Sequence, residues 1–204
     1  VIRSREGWRP GFWRGLAEDV GILGAPFDEA TGGLGGGAIE TMIVMEEIGK
    51  ALVIEPYLDT VVIGGGLLRR CGTPRASELI GGIMAGEVRL AFAHLEPARR
   101  FDLADVTTSA VQDGSAWRIS GLKDAVRGAP FATHVLVNAR IRDANGDPAG
   151  VSAFLVATGA PGLSSREYPT VDGSRAADLT FAGVSAEILG LAGQGIEPLE
   201  AAVD

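Results

Sequence analysis

The sequence predicts an α+β chain, with a helical first half and an antiparallel β second half. Three observations carry this. Apolar residues recur at helical intervals up to Gly86 and alternate from Val88 onward. Thr73 followed by Pro74 reads as an N-cap with proline at the first helical position. Asp113-Gly114 separates TTSAVQ from SAWRIS, and Asp-Gly supports the positive φ angles of a tight hairpin turn.

The first element is FWRGLAEDVGIL, where Phe12, Trp13, Leu16, Val20 and Leu23 fall on one helical face opposite Arg14, Glu18 and Asp19. Pro26 to Thr31 is turn chemistry, and GGLGGG then leads into a helix over 39–52 marked by Ile39, Met42, Ile43, Ile48 and Leu52. A second helix over 57–70 follows, and both offer more apolar surface than a small β domain need cover, which marks an interface. Leu79, Ile80 and Ile83 continue the helix capped by Thr73. Helices therefore fill most of 11–85. Strands fill most of 88–185: the hairpin, then ATHVLVNARIRD and GVSAFLVA around a turn with Asn145-Gly146, then ADLTFAGV. A last helix begins near Gly195.

Gly33, Gly35 and Ala38 fit the G-x-G-x-x-G/A dinucleotide fingerprint, and Glu55 follows at about the 20-residue interval of a ribose-binding carboxylate. That fingerprint needs a buried strand running into its first glycine, so that a helix N-terminus points free N–H groups at the pyrophosphate. Here a turn precedes it, so the stretch joins helix to helix.

The 204 residues carry a net charge of −8, two His and one Cys. An acidic balance with scattered arginines argues against a nucleic-acid partner, and a lone Cys71 fits a reducing cytoplasm. The most apolar region, 51–68, is interrupted by Glu55, Pro56 and Asp59, so it is no membrane span. The chain starts at Val1 and stops in an apolar-patterned stretch, so both ends read as cuts.

GILGAPFDEATGGLGGG, MEEIGKAL, LLRRCGTPRASELIGGIMAGEVRLAFAHLEP, GVSAFLVATGAPGL and YPTVDGSRAADLTFAGVSA, in that order and spacing, resemble the acyl-CoA dehydrogenases over almost the whole chain. LEPARRFDLADVTT and KDAVRGAP are most similar to the small-subunit type of pimeloyl-CoA and steroid side-chain dehydrogenases. The resemblance implies an N-terminal helical domain over 1–86, a middle antiparallel β-barrel over 87–192 and, from 193–204, the start of a C-terminal helical domain that is otherwise absent. It also implies FAD as cofactor, an acyl-CoA substrate, and a homo- or hetero-oligomer with another such subunit. The catalytic glutamate is expected in the missing domain, so this stretch alone is expected to be inactive.

In the family, two segments seat the flavin. The first, T-E-P-G-A-G-S-D, corresponds to Leu95-Glu96-Pro97-Ala98-Arg99-Arg100-Phe101-Asp102, with Leu95 for the threonine, Arg100 for a glycine and Phe101 for the serine. The second, K-x-[WF]-[IV]-[TS], corresponds to Lys123-Asp124-Ala125-Val126-Arg127, its ring replaced by Ala125 and its hydroxyl by Arg127. The resemblance thus assigns cofactor contacts to Phe92, His94, Leu95, Ala125 and Arg127, and substrate contacts to Arg100 and Phe101. Leucine cannot donate a hydrogen bond and Arg127 is bulky, which puts FAD occupancy of this chain's own seat in question. Backbone N–H groups along 93–95 survive these changes. Packing of Leu95, Ala125 and Val126 inside the barrel is the competing reading, and a structural subunit supporting a catalytic paralogue is the competing function.

Other candidates carry less. His94, His134 and Cys71 are too few and scattered for a zinc site. Glu46-Glu47 reads as a solvated helix face, Trp13 and Trp117 as core, and Arg99 and Arg100 as loop arginines that could face CoA phosphates.

Overall fold

The computed structural model describes residues 7–97, 99, 102–143 and 145–203. A layer of short helices packs on one face of a closed β-barrel. Helix α1 (Pro10–Glu18) starts with its proline at the first turn and buries Trp13 and Ala17. The Trp13 indole N–H donates to the Gly86 carbonyl at 3.0 Å, pinning α1 to the last helical turn before the barrel. The helical spacing predicted through Leu23 is interrupted. Gly21, at φ 69°, ends the run, a short 3₁₀ turn (Ile22–Gly24) follows, and Val20 is exposed while Leu23 stays buried.

The glycine stretch is a connection. It runs from a 3₁₀ turn (Glu29–Thr31) into α2 (Ala38–Lys50), whose first turn is closed by the Gly37 N–H donating to the Glu40 carboxylate at 2.7 Å. Gly33 is glycine for packing reasons: a Cβ there would lie 2.1 Å from the Phe27 carbonyl oxygen. Glu55 serves no ribose and instead holds Arg9, accepting from its Nε at 3.1 Å and its backbone N–H at 3.2 Å.

The chain then enters a π-helical segment (Leu58–Gly64) that continues into α3 (Gly65–Cys71), and Thr73 caps α4 (Pro74–Met84) by accepting from the Ala76 N–H at 3.1 Å. The two helices expected to expose apolar surface behave differently. None of α2 is buried, and Ile39, Met42 and Ile43 are exposed. The 57–70 segment corrects the expectation, because Val61, Leu67 and Leu68 are sealed in the core between helices and barrel.

Among the described residues seven strands follow: β1 (Leu90–Ala93), β2 (Ser109–Asp113), β3 (Ala116–Arg127), β4 (His134–Arg142), β5 (Pro148–Ala157), β6 (Leu163–Pro169) and β7 (Arg175–Leu189). The ring β4-β2-β3-β7-β5 closes through a β4–β5 pairing, with β6 added on β7. Most pairings are antiparallel, but β4 runs parallel to both β1 and β2, which share one of its edges in succession. The predicted hairpin is β2–β3 with Gly114 at φ 62°. Strand β6 went unread because its residues are mostly exposed and carry no apolar alternation. Helix α5 (Ile196–Val203) begins where expected.

Period-2 geometry sorts the strands into two cores. Leu90, Phe92 and Leu136 face the helices, while Ala91, Ala93, Val135 and Val137 belong to the second cluster with Trp117, Ile119 and Phe154. Ala91 and Ala93 on β1 take little of the barrel interior, which the larger side chains of the other strands fill.

Gly33→Ala is expected to destabilise the protein by roughly 2 kcal/mol or more through the backbone clash, whereas Gly49→Ala, in open space on α2, is expected to stabilise by roughly 0.5–1 kcal/mol. Urea denaturation midpoints of the two variants check both signs.

Candidate functional site

The site is built where β1 runs out beside a break in β3. The β3–β7 register shifts between Lys123 and Val126, and Ala125 sits at φ 50° in the left-handed region. A β-bulge of this kind re-aims side chains and costs backbone strain, so something must hold it. Asp178 on β7 does so. Its Oδ1 accepts from the Ala125 N–H at 3.1 Å and from the Tyr168 hydroxyl at 2.7 Å, while Oδ2 accepts from Arg166. The Tyr168 bond, then Arg166 and the Ala125 N–H, hold the Asp178 carboxyl down at about 2. Beside it, the Asp124 N–H donates to the Leu95 carbonyl at 2.9 Å and closes the gap between the two segments.

Beneath this corner lies a buried polar network. Lys123 Nζ donates to Glu96 Oε1 at 2.9 Å, to Asn138 Oδ1 at 2.7 Å and to the His94 carbonyl at 3.4 Å. Glu96 in turn accepts from the Thr107 N–H at 2.7 Å and the Thr108 N–H at 3.0 Å, so its one carboxylate clamps both ends of the 96–108 loop. Asn138 Nδ2 donates to the Leu103 carbonyl at 2.9 Å from below. Burial alone would raise Glu96, but the hydrogen bonds from Thr107 and Thr108 and the Lys123 charge outweigh it and hold the carboxyl at about 2. Burial pushes Lys123 down to about 8 against the pull of Glu96. The pair is ionised at neutral pH.

The expected site residues divide into three groups. His94, Leu95 and Ala125 are brought together at the bulge, with Phe92 behind them, buried and stacked on the His94 ring at 4.7 Å between centroids. Arg127 is two residues past Ala125 at the end of β3, and its guanidinium reaches across a cleft to Asp59 on the π-helical segment, Nη2 to Oδ2 at 3.3 Å. Arg100 and Phe101 lie outside the described residues, and Arg99, which is described, pairs with Asp105 at 2.6 Å. The barrel-packing alternative holds for Val126, which is buried, whereas Leu95 is half-buried and Ala125 is exposed. His94 lies just past β1, His134 at the start of β4 and Cys71 at the end of α3. Glu46 and Glu47 both pair with Lys50 on the exposed face of α2, and Trp13 and Trp117 are buried.

A bound group could use one atom in particular. Among the described residues no hydrogen-bond partner reaches the buried His94 Nδ1, and burial, opposed by the Phe92 backbone and helped by the Lys123 charge, lowers the ring's pKa and favours neutral imidazole. A buried polar atom without a partner is a place for a ligand atom. His94 Nδ1 and the backbone groups of 93–95 could meet the polar edge of such a group, to which Leu95, Ala125 and Arg127 offer no hydroxyl.

The acyl-CoA dehydrogenase N-terminal domain pattern matches residues 2–87 and the acyl-CoA dehydrogenase middle domain pattern matches residues 91–184. The chain belongs to the acyl-CoA dehydrogenase family. Acyl-CoA dehydrogenase FadE12 of Mycobacterium tuberculosis is 35% identical over 152 residues, covering 72% of this chain and 39% of FadE12. FadE29 of the same organism is 30% identical over 79% of this chain and 42% of its own length. The solved Tcur3481-Tcur3483 steroid ACAD G363A variant is 33% identical with a TM-score of 0.84, over 98% of this chain and 53% of that one. The chain thus spans about half the length, or less, of these relatives. Members of this family are FAD flavoprotein oxidoreductases.

Sequence reasoning read Lys123 and Glu96 only as family matches and missed Asn138, Asp178 and Asp59. Two signals were present. Asn138 interrupts the apolar run VLVNARI, and Lys123 falls on a buried position of an alternating strand. A polar residue at such a position must have partners.

Glu96→Gln or Lys123→Met alone leaves one buried charge unpaired and is expected to cost roughly 3–5 kcal/mol, with the double change Glu96→Leu/Lys123→Met costing less than the sum. Because the folded carboxyl lies below its unfolded value, the Glu96 contribution is present above about pH 4.5 and lost as pH falls toward about 2. Urea melts from pH 6 to pH 2 should show that loss in the wild type and a flatter profile in Glu96→Gln.

Proposed function

We propose that the protein is a subunit of a FAD-dependent acyl-CoA dehydrogenase that removes two hydrogens across Cα and Cβ of an acyl-CoA thioester, and that it works in the cytoplasm. The supporting observation is the corner where the family's two flavin-seating segments meet, tied by the Asp124 N–H to the Leu95 carbonyl and underpinned by Lys123–Glu96. When bound, FAD supplies the hydride acceptor for the β-carbon. This chain's contribution is to orient: His94 Nδ1 and the backbone of 93–95 meet the flavin edge, Phe92 backs the His94 ring, and Arg100 and Phe101 meet the substrate. The base for the α-proton, a glutamate, belongs to the stretch that the longer relatives carry beyond this match.

The 33%-identical steroid ACAD is named for two components, which supports an assembly with a second acyl-CoA dehydrogenase chain. With leucine and arginine where hydroxyls are expected, we infer that this chain's own seat holds FAD weakly and that the partner's seat holds the flavin used in catalysis. The test is FAD per protomer in the full-length protein co-purified with its partner, together with acyl-CoA-dependent reduction of an added electron acceptor. Fewer FAD than protomers is expected, rising when Leu95→Thr and Arg127→Thr are combined; Ala125 is left unchanged because a bulky ring at φ 50° would be strained. One FAD per wild-type protomer would remove the weak-seat inference. An assembly without flavin and without acyl-CoA oxidation would remove the function itself.

A further inference from the structure

A separate pocket lies on the helical layer, and none of the residues at the corner over 92–127 lines it. It has a volume of about 480 Å³ and opens between residues 27–31, the end of α3 and the first turns of α4. Leu68 and Ile80, both buried, form its floor. Asp28, Arg69, Arg70 and Ser77, all exposed, form its rim.

Two adjacent arginines on one pocket need an account, because this chain has carboxylates in excess at a net charge of −8. Arg9, Arg75, Arg99, Arg118, Arg127 and Arg166 each pair with a carboxylate. Among the described residues Arg69 and Arg70 pair with none. Arg69 Nη1 donates to the Pro26 carbonyl at 2.9 Å, and Arg70 Nη1 donates to the Gly66 carbonyl at 3.0 Å. A guanidinium carries five N–H donors, so each bond fixes its side chain and leaves most of the fork free. Basic residues in a last helical turn do offset the free carbonyls at the end of α3. That accounts for positive charge at this end of the helix, but not for two free forks and the Ser77 hydroxyl on the rim of one pocket. Asp28 supplies the negative charge on that rim, and among the described residues no hydrogen bond or ion pair joins it to either arginine.

We propose that this pocket binds the phosphate group of a small phosphorylated molecule, with Arg69 and Arg70 donating to different phosphate oxygens and Ser77 donating to a third. A phosphate matches this donor set in charge and in shape: two cations meet up to two negative charges, and each fork meets its own oxygens. A carboxylate presents one charge and two oxygens, enough for one fork only. The Ser77 hydroxyl is free to turn, because its present bond to the Thr73 carbonyl is 3.4 Å long. Asp28 opposes any anion here, which disfavours a singly charged one most. The net charge of −8 repels an extended polyanion and leaves a small ligand as the occupant. The proposal does not depend on the acyl-CoA reading.

Calorimetric titration of the full-length protein with pyrophosphate, and with acetate at matched ionic strength, tests the proposal without flavin, thioester or electron acceptor. Pyrophosphate is expected to bind at one site, at least about tenfold tighter than acetate, because the second arginine has no oxygen to meet in the carboxylate. Arg70→Gln should weaken pyrophosphate about tenfold, and Arg69→Gln combined with Arg70→Gln should abolish its binding. Replacing both by lysine keeps the charge but loses the forks, so it should retain only part of the affinity. Asp28→Asn should tighten pyrophosphate by removing the opposing charge. Arg69 also holds the Pro26 carbonyl, so Ser77→Asp is an independent variant: Ser77 is exposed on α4, and a carboxylate there occupies the forks from within and should abolish binding. Far-UV circular dichroism checks that each variant folds. No binding of pyrophosphate by the wild type, equal binding of acetate, or pyrophosphate affinity unchanged in folded Arg70→Gln or Ser77→Asp would overturn the proposal.

Discussion

The Lys123–Glu96 ion pair is the constraint on which the rest of this site depends. It lies where three pieces of chain with no local reason to meet converge: the end of β1, the bulged half of β3 and the loop that returns to β2. Two charges taken out of water repay their desolvation only when every remaining donor and acceptor finds a partner. Here Asn138, Thr107, Thr108 and the His94 carbonyl complete the set. That requirement fixes the spacing of the 96–108 loop more tightly than apolar packing would, because hydrogen bonds are directional and hydrophobic contacts are not. Leu103 and Val106 then fall into buried positions as a consequence of where the loop is held.

The bulge at Ala125 is the second consequence. Lys123 must point inward to reach Glu96 and Val126 must point inward to fill the barrel, yet their positions differ by three, an odd offset that a regular strand cannot accommodate with both side chains on one face. The extra residue is absorbed by the register shift, and Ala125 takes the left-handed conformation, with Asp178 supplying the acceptor that the lost ladder position no longer provides. The left-handed Ala125 is the local cost of placing a lysine and a valine on the same inner face.

What the sequence made legible was periodic or terminal. The change of period near Gly86, the Thr73-Pro74 start and the Asp113-Gly114 hairpin all appear where residue pattern placed them, because each is decided within a few residues. Boundaries failed where a single glycine outweighed the pattern, as at Gly21. The helix over 57–70 was located correctly but assigned the wrong exposure, since its environment is set by Leu90 and the outer face of the barrel some twenty or more residues later. The site was half legible for the same reason. Residue identity at 95, 125 and 127 indicated missing donors. It could not indicate that Arg127 would find Asp59, a pairing between residues 68 apart that exists only once the barrel has closed against the helices.

That pairing also separates two roles that an arginine in this position could have. As a brace between helical layer and barrel it would be poor: a half-exposed, single-contact ion pair is worth about 0–1 kcal/mol, and the interface it spans is already sealed by Tyr57, Val61, Leu67 and Leu68 against Leu90 and Phe92. Buried apolar side chains of this size each contribute roughly 1.5–3 kcal/mol, so the layers hold together without the charge. What Arg127 changes is the chemistry of the space it enters. It places a half-exposed cation on the charged wall of the cleft, beside Asp59, whose carboxyl pKa burial raises. The stability of the fold therefore rests on the buried apolar contacts between helices and barrel and not on this ion pair.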